Sequence, residues 1–392
     1  MTREYQSPSY EPLKPVLLCF SHLRWNFVYQ RPQHLLSRAQ QSHEVFFIEE
    51  PHIRDDTAEA SLERSLTPNG VRVLTPQIPA RDEARAVDIQ RDLLDGFLLE
   101  LPSPPGVLWY YTPAALEFSR HIRANVCVFD CMDELSAFRG ASSRLCEQER
   151  ELLSRADLLL VGGRTLFEAK QRLHPNAHLF PSSVDVAHFG RARRKHSGRS
   201  SAQLAAQLGF FGVIDERMDL DLVDRVAALR PDWQLNMIGP VVKIDQADLP
   251  RRSNIHWLGA CSYDELPEKL GQWHLGIMPF ALNEATRFIS PTKTPEFLAA
   301  GLPVVSTPVR DVVDPYGVSG LVAIAATPED LVARATELLI QPTEPWLSRV
   351  DAFLADTSWD KTWVSISHHL SRISERATRA VPAALGSGGQ HV

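Results

Sequence analysis

The stretch "HLGIMPFALNEATRFISPTKTPEFLAAGLPVVST", residues 274–307, contains the order of elements that decides the fold. An apolar run opens it at 274–280, and a second apolar run closes it at 303–307. The segment between them predicts a short helix, with Thr294 as N-cap, Pro295 at the first helical position and Gly301 at the exit. A buried strand, a helix and another buried strand in succession indicate a parallel sheet covered by helices.

The start of this helix carries two charged residues that helix punctuation does not require. Lys293 and Glu296 place a cation and a carboxylate at the positive end of the helix. Phosphates are commonly held at such ends, because the first backbone amides and the helix dipole face the ligand. The stretch therefore predicts a ligand site as well as a fold.

The same alternation runs through the rest of the chain. Apolar runs predict strands at 16–20, 44–50, 106–111, 125–130, 157–162, 209–214, 233–239, 254–259 and 320–325. Helical spacing predicts helices at 31–41, 88–101, 142–156, 219–229, from 262 onward, and at 327–340, 345–355 and 359–375. We therefore expect an α/β protein of two doubly wound Rossmann-like domains that face each other across a cleft, with ligands at the carboxyl ends of the strands.

The length of 392 residues also favours two domains. The expected organisation is an N-terminal extension (1–13), a first domain (14–189), a basic linker (190–203), a second domain (204–357), a helix that returns to the first domain (358–376) and a mobile tail (377–392). The linker is rich in arginine and serine, which is typical of a solvated connector, although contact with anionic lipid is the alternative.

Composition excludes several classes of protein. A formal net charge of -7 argues against a general nucleic-acid binder. Five dispersed cysteines without a CxxC pair argue against a disulfide framework or a zinc site, and no metal is expected. Without a signal peptide or an apolar run of about 20 residues, we expect a cytoplasmic protein whose membrane contact, if any, is peripheral on the inner face.

Two phosphate-binding fingerprints are missing from the sequence. The residues after the first strand, "SHLRWNFVYQRPQHLL", contain no GxGxxG, and no GxxxxGK[ST] occurs. The absence of these glycine-rich turns disfavours a standard dinucleotide oxidoreductase and a P-loop ATPase.

Seven motifs together resemble a known family. In chain order they are "HLRWNFVYQRPQHLL", "VFDCMDELSAF", "FFGVIDERMDLDLV", "MIGP", "NIHWLG", "LGIMPF" and "SPTKTPEFLAAGLPVVSTP". Over roughly residues 14 to 375 the chain resembles a bacterial branch of the group 1 retaining glycosyltransferases, which have the GT-B fold. The resemblance implies that the second domain binds a nucleotide diphosphate sugar and that the first domain binds the acceptor.

The resemblance also implies which residues bind the donor. Glu296 matches a family glutamate that hydrogen-bonds the ribose, and Lys293 would neutralise the leaving diphosphate unless it is simply solvated. Arg217 falls at or near a family lysine that contacts the diphosphate; its alternative is an ion pair with Asp215 or Asp219. The full expected donor set is Gly212, Arg217, Gly239, Ser290, Thr292, Lys293, Thr294 and Glu296.

At two positions the sequence departs from the family pattern. Val213 stands where the family has a second diphosphate-binding cation, an arginine, and Phe288 stands where it has a glutamate that contacts the donor sugar. A phenyl ring cannot accept a hydrogen bond from a sugar hydroxyl. Candidates for the missing groups are Lys293 or Arg287 for the cation and Glu284 or Asn283 for the polar contact.

In the first domain, the resemblance and the residues together indicate a catalytic carboxylate. Asp130 and Asp133 lie near the place where the family often has a histidine beside the reacting sugar. A carboxylate there would orient the acceptor hydroxyl or stabilise an oxocarbenium-like centre. The alternative is an N-cap for a helix that begins near Glu134.

The first loop, "RWNFVYQRPQH", supplies a second group of candidates. Trp25 or Tyr29 could stack on a sugar ring, Gln30 lies between them and the helix, and Arg31 could meet a phosphate. The alternative is a loop packed under the first helix, with Pro32 at its start.

The expected function is transfer of a sugar, hexose-like, from a nucleotide diphosphate sugar to a glycan, lipid-linked or small polar acceptor. The resemblance implies retention, independence from metals and cofactors, and a role in polysaccharide or glycoconjugate biosynthesis. Two alternatives remain open. One is a catalytically silent nucleotide-sugar-binding assembly partner, suggested by Phe288 and Val213, and the other is a different GT-B enzyme such as an epimerase or an inverting transferase.

Overall fold

The computed structural model describes residues 14–135, 142–196 and 205–380. The expected N-terminal extension, half of the expected linker (197–203) and most of the expected tail (381–392) therefore lie outside the described residues. The described part forms two sheets, each flanked by helices.

The first sheet contains the strands β1 (Val16–Phe20), β2 (Glu44–Ile48), β3 (His52–Arg54), β4 (Ser61–Leu66), β5 (Arg72–Pro79), β6 (Val107–Tyr110), β7 (Val126–Cys131), β8 (Leu158–Val161) and β9 (Ala177–Leu179). Their order is β3-β5-β2-β1-β6-β7-β8-β9, and β4 pairs with β5. All pairings are parallel except that of β4 with β5. Its helices are α1 (Arg31–Ala39), α2 (Ala86–Glu100), α3 (Leu116–Ser119), α4 (Ser143–Arg155) and α5 (Arg164–Lys170).

Four of these strands, β3, β4, β5 and β9, were not expected from the sequence, because none of them is a continuous apolar run. In β4, "SLERSL", five of the six residues are exposed and none is buried, so the strand has no apolar run. β5 contains two prolines and β3 is exposed throughout. β3, β4 and β9 are held by pairing at the sheet edges, which a search for continuous apolar runs does not detect.

The second sheet is formed by β10 (Gln207–Phe211), β11 (Gln234–Ile238), β12 (Ile255–Trp257), β13 (Leu275–Met278), β14 (Val304–Ser306) and β15 (Ala323–Ile324). They are all parallel, in the order β12-β11-β10-β13-β14-β15. The helices that follow α5 are α6 (Val186–Gly190), α7 (Arg193–His196), α8 (Leu220–Leu229), α9 (Leu266–Leu270), α10 (Lys293–Ala299), α11 (Arg310–Val312), α12 (Pro328–Ile340), α13 (Glu344–Leu354) and α14 (Trp359–Ala380).

Each sheet has a point where the strand order reverses. β1 lies between β2 and β6, and β10 lies between β11 and β13. In open α/β sheets, ligands bind outside the carboxyl ends of the strands at such points. The two doubly wound sheets expected from the sequence are confirmed, and the loops that follow β1, β10, β11 and β13 are the places to look for a site.

The chain passes between the two cores twice. Val184 and Phe189 are buried in the core of the second sheet, so the chain joins that core before the expected domain end at residue 189. In the other direction, Trp359 and Trp363 at the start of α14 are buried in a core cluster on one face of the first sheet. Within the described residues, no helix has the length and apolarity to span a bilayer.

Candidate active site

A cleft of about 740 Å³ lies between the two sheets. Loops at the carboxyl ends of the strands line it from both sides. The lining residues from the first half of the chain are 25–31, 67–69, 132, 133, 162, 182, 185 and 188; those from the second half are 211–213, 217, 238–240, 260–264, 266, 280, 289–293 and 296.

Two glycines at the floor of the cleft allow a close approach of backbone and side chain. Gly212 follows β10 with φ +125°, and Gly239 follows β11 with φ +151°. A Cβ at Gly239 would lie 1.8 Å from the carbonyl oxygen of Gly212, and a Cβ at Gly212 would lie 1.9 Å from Cε of Lys293. The missing side chains therefore leave the room in which the Lys293 ammonium sits over the end of β10.

Lys293 and Glu296 are neighbours on the first turn of α10. Glu296 is only 8% exposed, and burial raises the pKa of its carboxyl group, an effect that the Lys293 charge opposes. Burial, together with the nearby charge of Arg217, lowers the pKa of Lys293 to about 8. A buried cation whose charged form is disfavoured gains most from an anion placed beside it.

Arg217 supplies a second cation on the same side of the cleft. Its guanidinium forms a two-pronged ion pair with Asp215, with 2.7 Å between Nη2 and Oδ2. Burial disfavours the charged guanidinium, but Asp215 outweighs this and raises the pKa of Arg217. Arg217 therefore forms the ion pair with Asp215 that was the alternative considered for it, and it also lines the cleft. Arg287 lies over the ring of Phe288 and does not line the cleft.

Helix α10 starts two residues earlier than expected, with Thr292 and not Thr294 as its N-cap. The helix begins at Lys293, and Ser290 and Thr292 line the cleft before it. Thr294 is fully buried, and its hydroxyl donates to Sδ of Met278 at 3.6 Å. Thr294 is therefore neither the N-cap nor a residue that faces a ligand, because its side chain points into the core of the second sheet.

The two candidate catalytic aspartates are separated by the structure. Asp133 is half-buried and lines the cleft, where its charge acts on Arg217 and Lys293 of the opposite wall. Asp130 is fully buried and pairs with Arg31, with both side chains inaccessible and 2.9 Å between Nη2 and Oδ1. Asp130 does not line the cleft, so the expectation that it meets a substrate is wrong; Arg31 lines the cleft, but its guanidinium is inaccessible and neutralised by Asp130.

The first loop likewise contains residues that are largely buried and residues that reach the opposite side of the cleft. Trp25 is 7% exposed and packs edge-on against Phe47 at 5.1 Å, so most of its ring belongs to the core although the residue lines the cleft. Gln30 is the N-cap of α1, and its backbone amide donates to Oε1 of Gln33 at 3.0 Å. Tyr29 is the aromatic of this loop that reaches the second half of the chain.

Tyr29 stacks on Tyr263 with 4.5 Å between the ring centroids. Tyr263 also stacks on His188, with 4.0 Å between the ring centroids. Burial and the nearby Glu296 carboxylate both raise the pKa of the Tyr263 hydroxyl. The sequence reasoning missed Tyr263, although its position directly after the predicted strand at 254–259 puts it at the same sheet edge as the other loops.

Phe288 does not face the cleft. Its ring packs against a core cluster of the first sheet, and the loop that carries it therefore contacts the first half of the chain. The two polar substitutes considered for this position also point elsewhere. Asn283 caps the turn at 284–286, and the Glu284 side chain is 75% exposed beside Arg287. Neither lines the cleft.

Comparison with known proteins adds a family assignment for the second half of the chain. Residues 205–341 match the family "Glycosyl transferases group 1". Over 218 residues the chain is 28% identical to the putative teichuronic acid biosynthesis glycosyltransferase TuaH of Bacillus subtilis strain 168. That match covers 51% of this chain and 55% of TuaH, so it spans about half the length of this relative.

Solved structures are similar over nearly the whole chain. Sucrose-phosphate synthase from Thermosynechococcus elongatus is 12% identical with a TM-score of 0.69, and the match covers 93% of this chain and 100% of that one. Anabaena HepE, solved with UDP and glucose, is 12% identical with a TM-score of 0.64, covering 91% of this chain and 99% of that one. These likenesses confirm the fold expected from the motifs. The chain has the GT-B fold, and its residues 205–341 match the group 1 glycosyltransferase family.

Proposed function

We propose that the protein transfers a sugar from a nucleotide diphosphate sugar to a hydroxyl acceptor, with the donor held by the second half of the chain. One observation carries the proposal: the Lys293 ammonium lies over Gly212 at the end of β10, beside the buried carboxylate of Glu296. A diphosphate would fit against Lys293 and the start of α10, and the ribose hydroxyls would donate to Glu296.

The leaving diphosphate would be stabilised by side-chain cations and backbone amides, without a metal. Lys293 and Arg217 line the same wall of the cleft, and the loop that holds Ser290 and Thr292 leads into α10. Preorganised charges of this kind favour the transition state, because the negative charge on the diphosphate grows as the glycosidic bond breaks.

Asp133 is the proposed catalytic residue of the opposite wall. Its carboxylate faces the cations across the cleft. There it would orient the acceptor hydroxyl or stabilise positive charge on the anomeric carbon of the donor. By family resemblance we propose retention of the anomeric configuration. A glycan acceptor and a role in polysaccharide biosynthesis are supported by the similarity to TuaH, a putative teichuronic acid biosynthesis glycosyltransferase.

The experiment is incubation of the purified protein with UDP-, GDP-, ADP- and TDP-sugars and a panel of glycan acceptors. Release of the nucleoside diphosphate measures turnover, and the anomeric proton coupling of the product, measured by NMR, gives the stereochemistry. We expect turnover of at least one donor and a retained linkage. An inverted linkage would contradict the retaining mechanism.

Phe288 favours a second candidate, a silent nucleotide-sugar binder. The position of the family glutamate holds a phenyl ring that packs on the other half of the chain, so no carboxylate contacts the donor sugar from there. The same incubation decides between the two candidates. Binding of a nucleoside diphosphate without any donor turnover would support the silent binder.

A further inference from the structure

The short helix α5 has one end attached to the second half of the chain. Its N-cap, Gly163, has no side chain to accept from the first amides. Instead Asp311, which is 3% exposed, accepts from the amides of Arg164 at 2.7 Å and Thr165 at 3.0 Å, and from the Thr165 hydroxyl. One carboxylate, 146 residues along the chain from Thr165, thus caps a helix of the opposite core.

The same end of α5 touches the loop that leads into α10. A Cβ at Gly163 would lie 2.7 Å from Cβ of Ser290 and 2.7 Å from Oδ2 of Asp311. Only a glycine allows this approach. Ser290 lines the cleft three residues before Lys293, so the proposed donor loop rests directly on the start of α5.

The other end of α5 holds the segment that carries Asp133. Lys170, at the last position of the helix, is 4% exposed and pairs with Glu134 at 2.6 Å and Glu149 at 2.8 Å. Glu134 is the residue after Asp133. A buried ammonium between two carboxylates keeps its partners in place, because separating them would leave a buried charge unpaired.

The residue before Asp133 is held from the same unit. Gly162, directly before the N-cap of α5, donates its amide to the carbonyl of Cys131 at 2.9 Å. A Cβ at Gly162 would lie 3.2 Å from Cα of Met132. Both chain neighbours of Asp133 are therefore fixed by the segment 162–170, one through backbone contact and the other through an ion pair.

We propose that α5 is a strut that sets Asp133 at its working distance from the donor loop, with Asp311 and Lys170 as positioning residues. The strut rests on the proposed function, since Asp133 is the residue that it places. At about 1.5 Å per residue, its seven residues span about 10 Å from Asp311 to Lys170. Asp311 fixes the start of α5 against the second half of the chain, and Lys170 at the other end of α5 fixes Glu134.

The test compares Asp311→Ala, Asp311→Asn and a matched control, Arg310→Ala. Arg310 pairs with Glu168 of α5 at 2.7 Å, so it joins the same helix to the same loop. Both side chains of this pair are more than half exposed. Donor turnover gives kcat and KM, and calorimetry gives the Kd of the nucleoside diphosphate that the wild type binds.

We expect Asp311→Ala to lower kcat about 10- to 100-fold, because a displacement near 1 Å in a catalytic group costs about that much. The Kd should change less than about threefold, Asp311→Asn should recover part of kcat through its remaining acceptor oxygen, and Arg310→Ala should behave as wild type. An unchanged kcat in Asp311→Ala, or an equal loss in Arg310→Ala, overturns the strut.

Hydrogen exchange supplies a readout that does not need turnover. In Asp311→Ala, amides of residues 130–135 should exchange faster than in the wild type, and Lys170→Met should produce the same change. Unchanged exchange in both variants overturns the strut. If exchange is faster in both variants but the wild type turns over no donor, the proposed function fails while the strut stands.

Discussion

Replacement of Lys293 by methionine tests the proposed diphosphate site most sharply. Methionine keeps most of the side-chain length and removes the ammonium that sits over Gly212. The free protein should tolerate the change, because burial and Arg217 already disfavour the charged lysine, as its lowered pKa indicates. The thermal midpoint should therefore stay near that of the wild type.

The loss should appear in nucleotide affinity. A hydrogen bond from a charged donor contributes about 1.5–3 kcal/mol. Since each 1.4 kcal/mol changes an equilibrium constant about tenfold, the Kd for the nucleoside diphosphate should rise about 10- to 150-fold. Isothermal titration calorimetry measures this directly. The Kd for the corresponding nucleoside, which lacks phosphates, should not change.

Lys361→Met is the matched control, since it removes the same charge from an exposed side chain of α14. Lys361 pairs only at the surface, with Asp356 at 2.8 Å. Its effect on the Kd should be small, because exposed ion pairs and distant charges are screened by solvent and salt. Equal nucleoside diphosphate affinities for Lys293→Met and the wild type would refute the reasoning and remove Lys293 from the donor site.

Three further predictions concern the same cleft. Gly212→Ala should weaken nucleotide binding and lower the free energy of unfolding by at least about 1 kcal/mol, because its Cβ would meet Lys293 at 1.9 Å on a backbone with φ +125°. Gly96→Ala is the control, since a Cβ at Gly96 in the middle of α2 meets no atom within 4 Å. Chemical denaturation measures the stability of both variants, and calorimetry measures their nucleotide affinity. Nucleotide affinity should fall as pH rises from 7 to 9, since Lys293 loses its proton as pH passes its lowered pKa of about 8, and calorimetry should show a flatter pH dependence for Lys293→Met. Asp133→Asn should lower kcat with an unchanged nucleotide Kd, and a rise in Kd that accounts for the whole loss would place Asp133 in donor binding instead.

Much of the fold follows from local sequence patterns, and β4 shows where they end. β1 has the bounds expected from its apolar run, because a strand covered on both faces must be apolar throughout. β4 is almost entirely exposed and is held by its pairing with β5. Phe189 of helix α6 packs in the core of the second sheet, and no local sequence pattern predicts this tertiary contact.

The candidate site also contains residues whose position local sequence patterns predict and residues whose position depends on tertiary contacts. The position of Lys293 and Glu296 at the cleft was predictable, because it depends on one helix turn at the carboxyl end of a strand. Asp130 and Asp133 carry the same chemistry in the same segment, and the difference between them is set by Arg31, which is 99 residues away and neutralises Asp130. Asp311 shows no motif at all, since its partners are the amides of a helix in the opposite core.

The central claim is that a nucleoside diphosphate binds beside Glu296 and Lys293, and a calorimetric titration tests it most directly. UDP, GDP, ADP and TDP would each be titrated into the wild type and into Glu296→Ala. We predict that at least one binds the wild type and that Glu296→Ala weakens it about tenfold or more, since the ribose loses a charged acceptor. No binding by any of the four, or equal affinity in the two proteins, would contradict the account.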